Sequence, residues 1–388
     1  MSSAPHRVKL ITIDGLFRQY DHRIPLHLDE RVTVLHGRNG VGKTVTLSLV
    51  AALLKLDYVK LAEIPFDGLR VDFTDESSLC VKRGESPEQR FVEYHPGGRE
   101  KPSKLAVLLG NLVHQNAVPF PAQRLLSRLR VHFIEAQRLF RIVSARRASE
   151  KEQTPAVTSA MTDIAREMAA RIQEADSTYR STSTRLDDSL PARLFAPPKN
   201  GPSLSKKELA RRTEALEAER RRLHEIGLLP DTTSFNPSTL NDIQRAMFAV
   251  YLEDNEEKLA VFKDLADRAE ILLGTLNRKL APKQIKLDKD AGYRVTSHDG
   301  RPLELDHLSS GEQHELVLLH NLLFRVEPGA LLLIDEPELS LHVTWQAEFL
   351  AELIQIAKKV GFDALVATHS PYIVGDRRDL MVRLGEPV

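Results

Sequence analysis

The stretch Gly37-Arg38-Asn39-Gly40-Val41-Gly42-Lys43-Thr44 constrains this chain more than any other. It reads G-x-x-x-x-G-K-T, follows the apolar run Val32-Thr33-Val34-Leu35, and precedes Val45 to Leu56, whose apolar residues suit a buried helix. Such a loop between a strand and a helix is a phosphate-binding loop. Its glycines allow a tight turn that aims successive backbone N–H groups inward. The helix N-terminus behind it adds a partial positive charge. Lys43 is placed to reach the β- and γ-phosphates of a nucleotide, and the Thr44 hydroxyl to ligate Mg2+.

The 388 residues leave room for two or three domains, or for one large domain with an insertion. Lys plus Arg (54) equals Asp plus Glu (54), so overall charge argues neither for nor against nucleic acid, and only local patches can. Cys80 is the single cysteine, which excludes an internal disulfide and fits a reducing cytoplasm. No run approaches the ~18 apolar residues of a membrane span. The first six residues, Met1-Ser2-Ser3-Ala4-Pro5-His6, lack the apolar core of a signal peptide. The expectation is a cytoplasmic protein with no membrane partner, and no internal repeat is visible.

Strand patterns are expected at Arg7 to Ile13, Arg31 to Leu35, Leu69 to Phe73, Ser78 to Lys82, Arg90 to Tyr94 and Arg130 to Ile134, with a loop at Pro119-Phe120-Pro121. The three runs between Leu69 and Tyr94 predict an antiparallel layer beside the nucleotide. From about Val143 to Lys283 helical periodicity replaces them. Met161, Ile164, Met168 and Ile172 form one apolar stripe. Ser205, with Glu208 three residues on, has the spacing of a capping box for a helix to Ile226, about 30 Å long at 1.5 Å per residue. That helix carries Leu209, Leu216 and Leu223 seven apart. A later one carries Leu252, Leu259, Ala266, Leu273 and Leu280, with Phe262, Ala269 and Leu276 between, the a and d positions of heptads. Antiparallel pairing of the two helices, as a short coiled arm or within a compact bundle, hides both seams. Strands return at Lys286-Leu287 and Tyr293 to Val295, with Asp299-Gly300 as a turn signal. The predicted domains are 1–142 and 284–388, two halves of one α/β head, and 143–283, a helical insertion.

The apolar strand Leu331-Leu332-Leu333-Ile334 ends in Asp335-Glu336. Beside a phosphate-binding loop, Asp335 can hold Mg2+ and Glu336 can polarise the attacking water as a general base. A second buried strand, Ala364 to Ala367, ends at Thr368-His369-Ser370-Pro371.

The order of these motifs, with Leu308-Ser309-Ser310-Gly311-Glu312 after the helical stretch, resembles the ABC-type ATPases of the SMC, RecF and double-strand-break-repair group. The resemblance covers residues 7–142 and 284–388. It implies an ATP- and Mg2+-dependent α/β head, with a mixed sheet and an antiparallel layer, that dimerises around ATP. It implies that Ser309 and Gly311 contact the γ-phosphate bound to the other subunit, with Ser310 in place of the usual glycine and Glu312 in place of the usual glutamine. Gln137 matches the glutamine that senses Mg2+ and the γ-phosphate, His369 matches the switch histidine, and Glu338 to His342 match the D-loop.

The wording Ile134-Glu135-Ala136-Gln137-Arg138, Asp335-Glu336-Pro337-Glu338-Leu339-Ser340-Leu341-His342 and Ala367 to Val374 is similar to the ATPases of bacterial anti-phage systems, namely the OLD-like, Septu-type and PARIS-type ATPase subunits. OLD nucleases continue into a Toprim domain. This chain ends at Val388, so the effector is expected to be another protein, such as a nuclease. The expected function is an ATP-hydrolysing module, a homodimer or higher oligomer, that regulates or scaffolds that effector in anti-phage defence. The alternative is a RecF-like ATPase that binds DNA in repair. A transporter subunit fits less well, given the helical insertion and the absence of a membrane signal. A scaffold that binds ATP and barely turns it over is the fourth reading. Two arginine clusters bear on DNA: Arg138, Arg141, Arg146 and Arg147, and Arg220 to Arg222. Ser205 to Glu225 nevertheless holds seven basic against five acidic residues, a net of +2, which reads first as a solvated helix face.

Overall fold

A computed structural model describes residues 6–84, 89–97, 101–109, 112–115, 118, 120–134, 156–195, 205–230, 240–339, 341 and 343–387. Contacts divide the chain into two compact units: Met1–Glu150 with Asn321–Val388, and Lys151–His320.

The chain opens with strands β1 (Val8–Leu16), β2 (Tyr20–Pro25) and β3 (Val32–His36), then helices α1 (Lys43–Lys55) and α2 (Tyr58–Glu63). Strands β4 (Gly68–Phe73), β5 (Ser78–Arg83), β6 (Gln89–His95), β7 (Ser103–Leu109) and β8 (Leu112–Gln115) follow, then α3 (Phe120–Arg128) and β9 (Val131–Ile134). β2, β7 and β8 have no counterpart in the sequence reading. Nor is Pro119-Phe120-Pro121 only a loop: α3 begins at Phe120 and takes Pro121 into its first turn, where the missing N–H costs nothing.

In the second unit, α4 (Ala156–Phe195), α5 (Lys206–Glu225), α6 (Asp242–Ala260) and α7 (Lys263–Lys279) precede strands β10 (Gln284–Asp288), β11 (Gly292–Thr296) and β12 (Pro302–Leu303) and helix α8 (Ser310–His320). α4 and α6 run antiparallel, as a ladder of pairs requires: Tyr179 on Phe262, Arg185 with Glu257, Asp187 with Lys258, and Arg193 with Asp254. α5 packs on α6, with Arg212 paired to Glu256 and Arg220 donating to Asn255, and its Leu209, Leu216 and Leu223 are buried. The expected continuous helix from Leu252 to Leu280 is broken at Val261 and Phe262, yet every predicted seam residue on both sides of the break is buried. β10, β11 and β12 form an antiparallel sheet, with the Asp299-Gly300 turn between β11 and β12. α4 lies against it so closely that a Cβ on Gly292, whose φ is +74°, would sit 2.0 Å from the Ala165 carbonyl oxygen. Only glycine fits there.

α8 continues into a π-helical turn, Asn321–Arg325, closed by the Val326 N–H on the Asn321 carbonyl. The first unit resumes with β13 (Leu331–Asp335), α9 (Val343–Val360), β14 (Asp363–Ala367), α10 (Pro371–Val374), β15 (Met381–Arg383) and β16 (Glu386–Pro387). Its central sheet is parallel, in the order β15-β3-β14-β13-β9. β13 and β14 are buried at every position, as continuous apolar runs covered on both faces must be. An antiparallel sheet runs β16-β2-β1-β4-β5-β6-β7-β8. α1 touches β5 of that sheet and β9, β13 and β14 of the parallel one, and is buried almost all round. Each of Leu47, Leu49 and Leu53 then contributes roughly 1.5–3 kcal/mol of burial.

Contacts thus place residues 284–320 with the helices, whereas the sequence reading set its boundary at 283. The reason is packing: β10 and β11 lie on α7 and α4, and α8 lies on both helices. Among the described residues no helix is long and apolar enough to cross a membrane.

Candidate nucleotide site

Parallel order brings three strand ends together. β14 lies between β3 and β13, so the loops after β3, β14 and β13 open side by side at one end of the sheet. They carry the phosphate-binding loop, His369 and the acid pair. Gly40 and Gly42 turn with φ of +83° and +90°, and Gly42 caps α1 in the left-handed conformation. A side chain at Gly42 would also meet Leu16 Cδ2 at 2.7 Å, so β1 presses on the loop from behind. Arg38, Asn39 and Gly40 are exposed at its mouth, while Val41 is buried.

Lys43 is only 5% exposed. Its Nζ donates to the carbonyls of Gly37 at 2.9 Å and Arg38 at 3.4 Å, and lies 3.3 Å from Nδ1 of His369. The other ring nitrogen, Nε2, faces Glu336 Oε1 at 3.8 Å. Glu336 stands at φ 45°, a left-handed conformation costing about 1–3 kcal/mol in a non-glycine residue. Its N–H is tied to the Ala367 carbonyl at the end of β14, which holds the bend. Thr44 donates its hydroxyl to Asp335 Oδ1 at 3.1 Å.

Burial lowers the Lys43 pKa, against the pull of Glu336, Asp335 and Glu338. Burial raises the Asp335 pKa, the Thr44 hydroxyl bond opposes that rise, and Glu336 and Glu338 add to it. A buried ammonium aimed at a glycine loop, beside a buried carboxylate that meets a hydroxyl, is a donor set that fits a polyphosphate and a divalent cation. Thr44 and Asp335 are the residues that would hold Mg2+.

A stability prediction follows. The Asp335 pKa is raised on folding, so its ionised form is penalised in the native state. That penalty is absent below the unfolded carboxylate pKa, about 3.9, and complete above the folded one. Asp335→Asn keeps an acceptor for Thr44 and removes the charge. It should melt at a higher temperature than the ligand-free wild type at neutral pH, and the gain should shrink as pH falls through that window. Thermal unfolding at several pH values measures this, and a neutral-pH melting point at or below wild type would refute it.

In the other unit, Ser309 caps α8. The Glu312 N–H points at Ser309 Oγ at 3.4 Å and the Ser309 N–H donates to Glu312 Oε2 at 2.7 Å, a capping box. Burial pushes the Glu312 carboxyl up, but Lys283, whose Nζ meets both oxygens at 2.8 and 2.9 Å, and Ser309 hold it below the usual carboxylate range. Ser309 and Ser310 are exposed and Gly311 is half-buried, so the first turn of α8 is open. Gln137 and the cluster Arg138, Arg141, Arg146 and Arg147 lie outside the described residues. His22 was not singled out from sequence. It is 2% exposed, its Nε2 lies 3.0 Å from the Val41 carbonyl, and burial lowers its pKa. It braces the phosphate loop from β2, and a lone histidine in a polar stretch gives no signal of that.

A comparison with curated proteins yields no match. Among solved structures, the chain is similar to the Smc head domain with an extended coiled coil bound to the C-terminal domain of ScpA, from Pyrococcus furiosus. The identity is 14% and the TM-score 0.37, over 99% of this chain and 96% of that one. It is also similar to the SmcHead bound to the C-winged helix domain of ScpA, at 11% identity and a TM-score of 0.38, over 98% of this chain and 97% of that one. Residues 137–375 match the family described as "AAA domain, putative AbiEii toxin, Type IV TA system". The match takes in the capped turn of α8, the acid pair and His369, while the phosphate-binding loop precedes it. It spans well over half of the 388 residues, and the chain therefore belongs to this AAA-domain family.

Proposed function

We propose that this chain binds and hydrolyses ATP with Mg2+, dimerises around the nucleotide, and uses the cycle to regulate or scaffold a separate effector, such as a nuclease, in bacterial anti-phage defence. The observation that carries the ATPase reading is the convergence of Lys43, Thr44, Asp335, Glu336 and His369 at one end of the parallel sheet. Thr44 and Asp335 would hold Mg2+, which would supply charge stabilisation for the phosphates. Lys43 binds the phosphates, Glu336 takes the proton of the attacking water, and His369 orients that carboxylate while touching Lys43. Gln137 senses Mg2+ and the γ-phosphate. Ser309 to Glu312 contribute from the second subunit.

Support for defence is the motif wording and the toxin description of the family. The helices within 143–283 are proposed as the effector's dock, and the unit Met1–Glu150 with Asn321–Val388 as the core of the head, with residues 284–320 packed on the helices. The RecF-like alternative loses ground at Arg220 to Arg222, the cluster that lies within the described residues. Arg220 donates to Asn255, and Arg222 is paired with Glu219, Asp267 and Glu270, which leaves Arg221 as the exposed member.

The test has two arms. Expressed with its genomic neighbours, the chain should cut phage plating by at least about tenfold, and Lys43→Ala should restore plating. Unchanged plating refutes defence and leaves hydrolysis standing. Purified protein should show no salt-dependent DNA affinity. Affinity that falls on charge reversal at Arg220, Arg221 and Arg222, with a shallower salt slope, would establish the DNA reading instead.

A further inference from the structure

Glu338 lies past the acid pair, in the loop before α9, yet its side chain turns back to the end of β14. One carboxylate oxygen accepts the Thr368 hydroxyl at 2.7 Å. The other accepts the backbone N–H groups of His369 at 2.8 Å and Ser370 at 3.2 Å. Thr368 Oγ1 also accepts the Ser370 N–H at 2.9 Å. Gln346, on α9 and 8% exposed, completes the tie. Its amide nitrogen donates to the carbonyls of Glu338 at 3.1 Å and Leu341 at 3.3 Å, and its amide oxygen accepts the Ser370 hydroxyl at 3.1 Å.

Two loops that bring chemistry to the same spot are thereby bolted together on both sides. The oxygens of Glu338 fix two backbone N–H groups and one hydroxyl of the histidine loop by position. A buried amide with three bonds made is costly to displace. His369 itself is exposed, and the polar contacts of its side chain among the described residues are those with Lys43 and Glu336 given above. The imidazole starts from a backbone whose N–H ends on Glu338, so that carboxylate helps to set its position. The loop so bolted also carries Leu339, 66% exposed, so a contact made on Leu339 bears on the same body that carries His369.

We propose that Glu338 and Gln346 are positioning residues for hydrolysis. They lock the loop after the acid pair to the histidine loop, and so hold His369 in register with Lys43 and Glu336. The proposal rests on the ATPase reading. It assigns Glu338 no direct contact with the nucleotide.

The experiment is a double-mutant cycle on ATP turnover, with amide hydrogen exchange as a second readout. Glu338→Ala should lower kcat by about 10- to 100-fold with KM for ATP within about twofold, since a misplacement of ~1 Å costs on that scale. Glu338→Gln should retain most of the turnover, because its amide oxygen still accepts both N–H groups. With His369→Ala already in place, Glu338→Ala should cost almost nothing more, because the residue it positions is gone. An undiminished loss on that background overturns the proposal. So does a Glu338→Gln variant as slow as Glu338→Ala, which would mean that charge matters and geometry does not. Thr368→Val keeps the side-chain shape and removes one bond, and it carries the same cycle if Glu338→Ala folds poorly. In exchange, the His369 and Ser370 amides should open at least about tenfold faster in Glu338→Ala than in wild type. If wild type shows no turnover that depends on Lys43, the ATPase reading fails. The exchange result then judges the tie by itself, and unchanged exchange refutes it.

Discussion

Glu336→Gln should slow ATP turnover by about 10²- to 10⁴-fold, the range for loss of a positioned general base, while ATP binding survives. Lys43→Ala should instead abolish binding. The two residues lie close together, and the proposal gives them different work. Lys43 brings a buried ammonium whose present partners, the carbonyls of Gly37 and Arg38, are weak substitutes for phosphate oxygens. Without it the loop keeps its backbone N–H groups and loses its buried cation. Glu336 is turned out of β13 by its left-handed backbone, toward the imidazole at 3.8 Å, and the amide of glutamine keeps that shape without the basicity. Titration calorimetry separates binding from the phosphate-release rate. Wild-type turnover in Glu336→Gln would remove its assignment as base. Tight ATP binding by Lys43→Ala would remove the phosphate-binding assignment of the loop.

The strands whose ends carry these residues were legible because they are extreme. Leu331 to Ile334 and Ala364 to Ala367 are apolar without interruption, and only a strand buried on both faces tolerates that. Each ends in residues whose chemistry is visible without neighbours. β2 is the opposite case. Its inward positions are His22 and Ile24, so one apolar slot in the alternation is filled by an imidazole. That imidazole is satisfied by the Val41 carbonyl, 19 residues on, which no local pattern reports. The break between α6 and α7 escaped for another reason. Leu259, Phe262 and Ala266 are buried as one seam through the interruption, so heptad spacing persists where the helix does not. Glu338 was read as one residue of a loop, since its partners Thr368 to Ser370 lie 30 to 32 residues away. Burial patterns are local sums and survive in sequence. Hydrogen-bonded polar ties are pairwise and long-range, and do not.

Mixing two inactive chains should restore activity if the site is shared. Lys43→Ala removes the buried cation of the phosphate loop and leaves Ser309 to Glu312 intact. Ser309→Arg does the reverse: it removes the cap of α8, costing on the order of 1 kcal/mol, and sets a bulky cation at an open helix N-terminus. Ser309 is exposed, so the substitution needs no room in a core. In a symmetric pair, each heterodimer then holds one composite site with Lys43 from one chain and Ser309 from the other, and one site damaged twice. Random assortment makes half the dimers mixed, so turnover should recover to about a quarter of wild type if the sites act independently. Each variant alone should stay near background. Native mass spectrometry with ATP counts the heterodimers, and phosphate release measures the rescue. Mixed dimers with no recovered turnover would mean that Ser309 does not complete a neighbour's site. Full activity in Ser309→Arg alone would mean that the turn at α8 takes no part in hydrolysis.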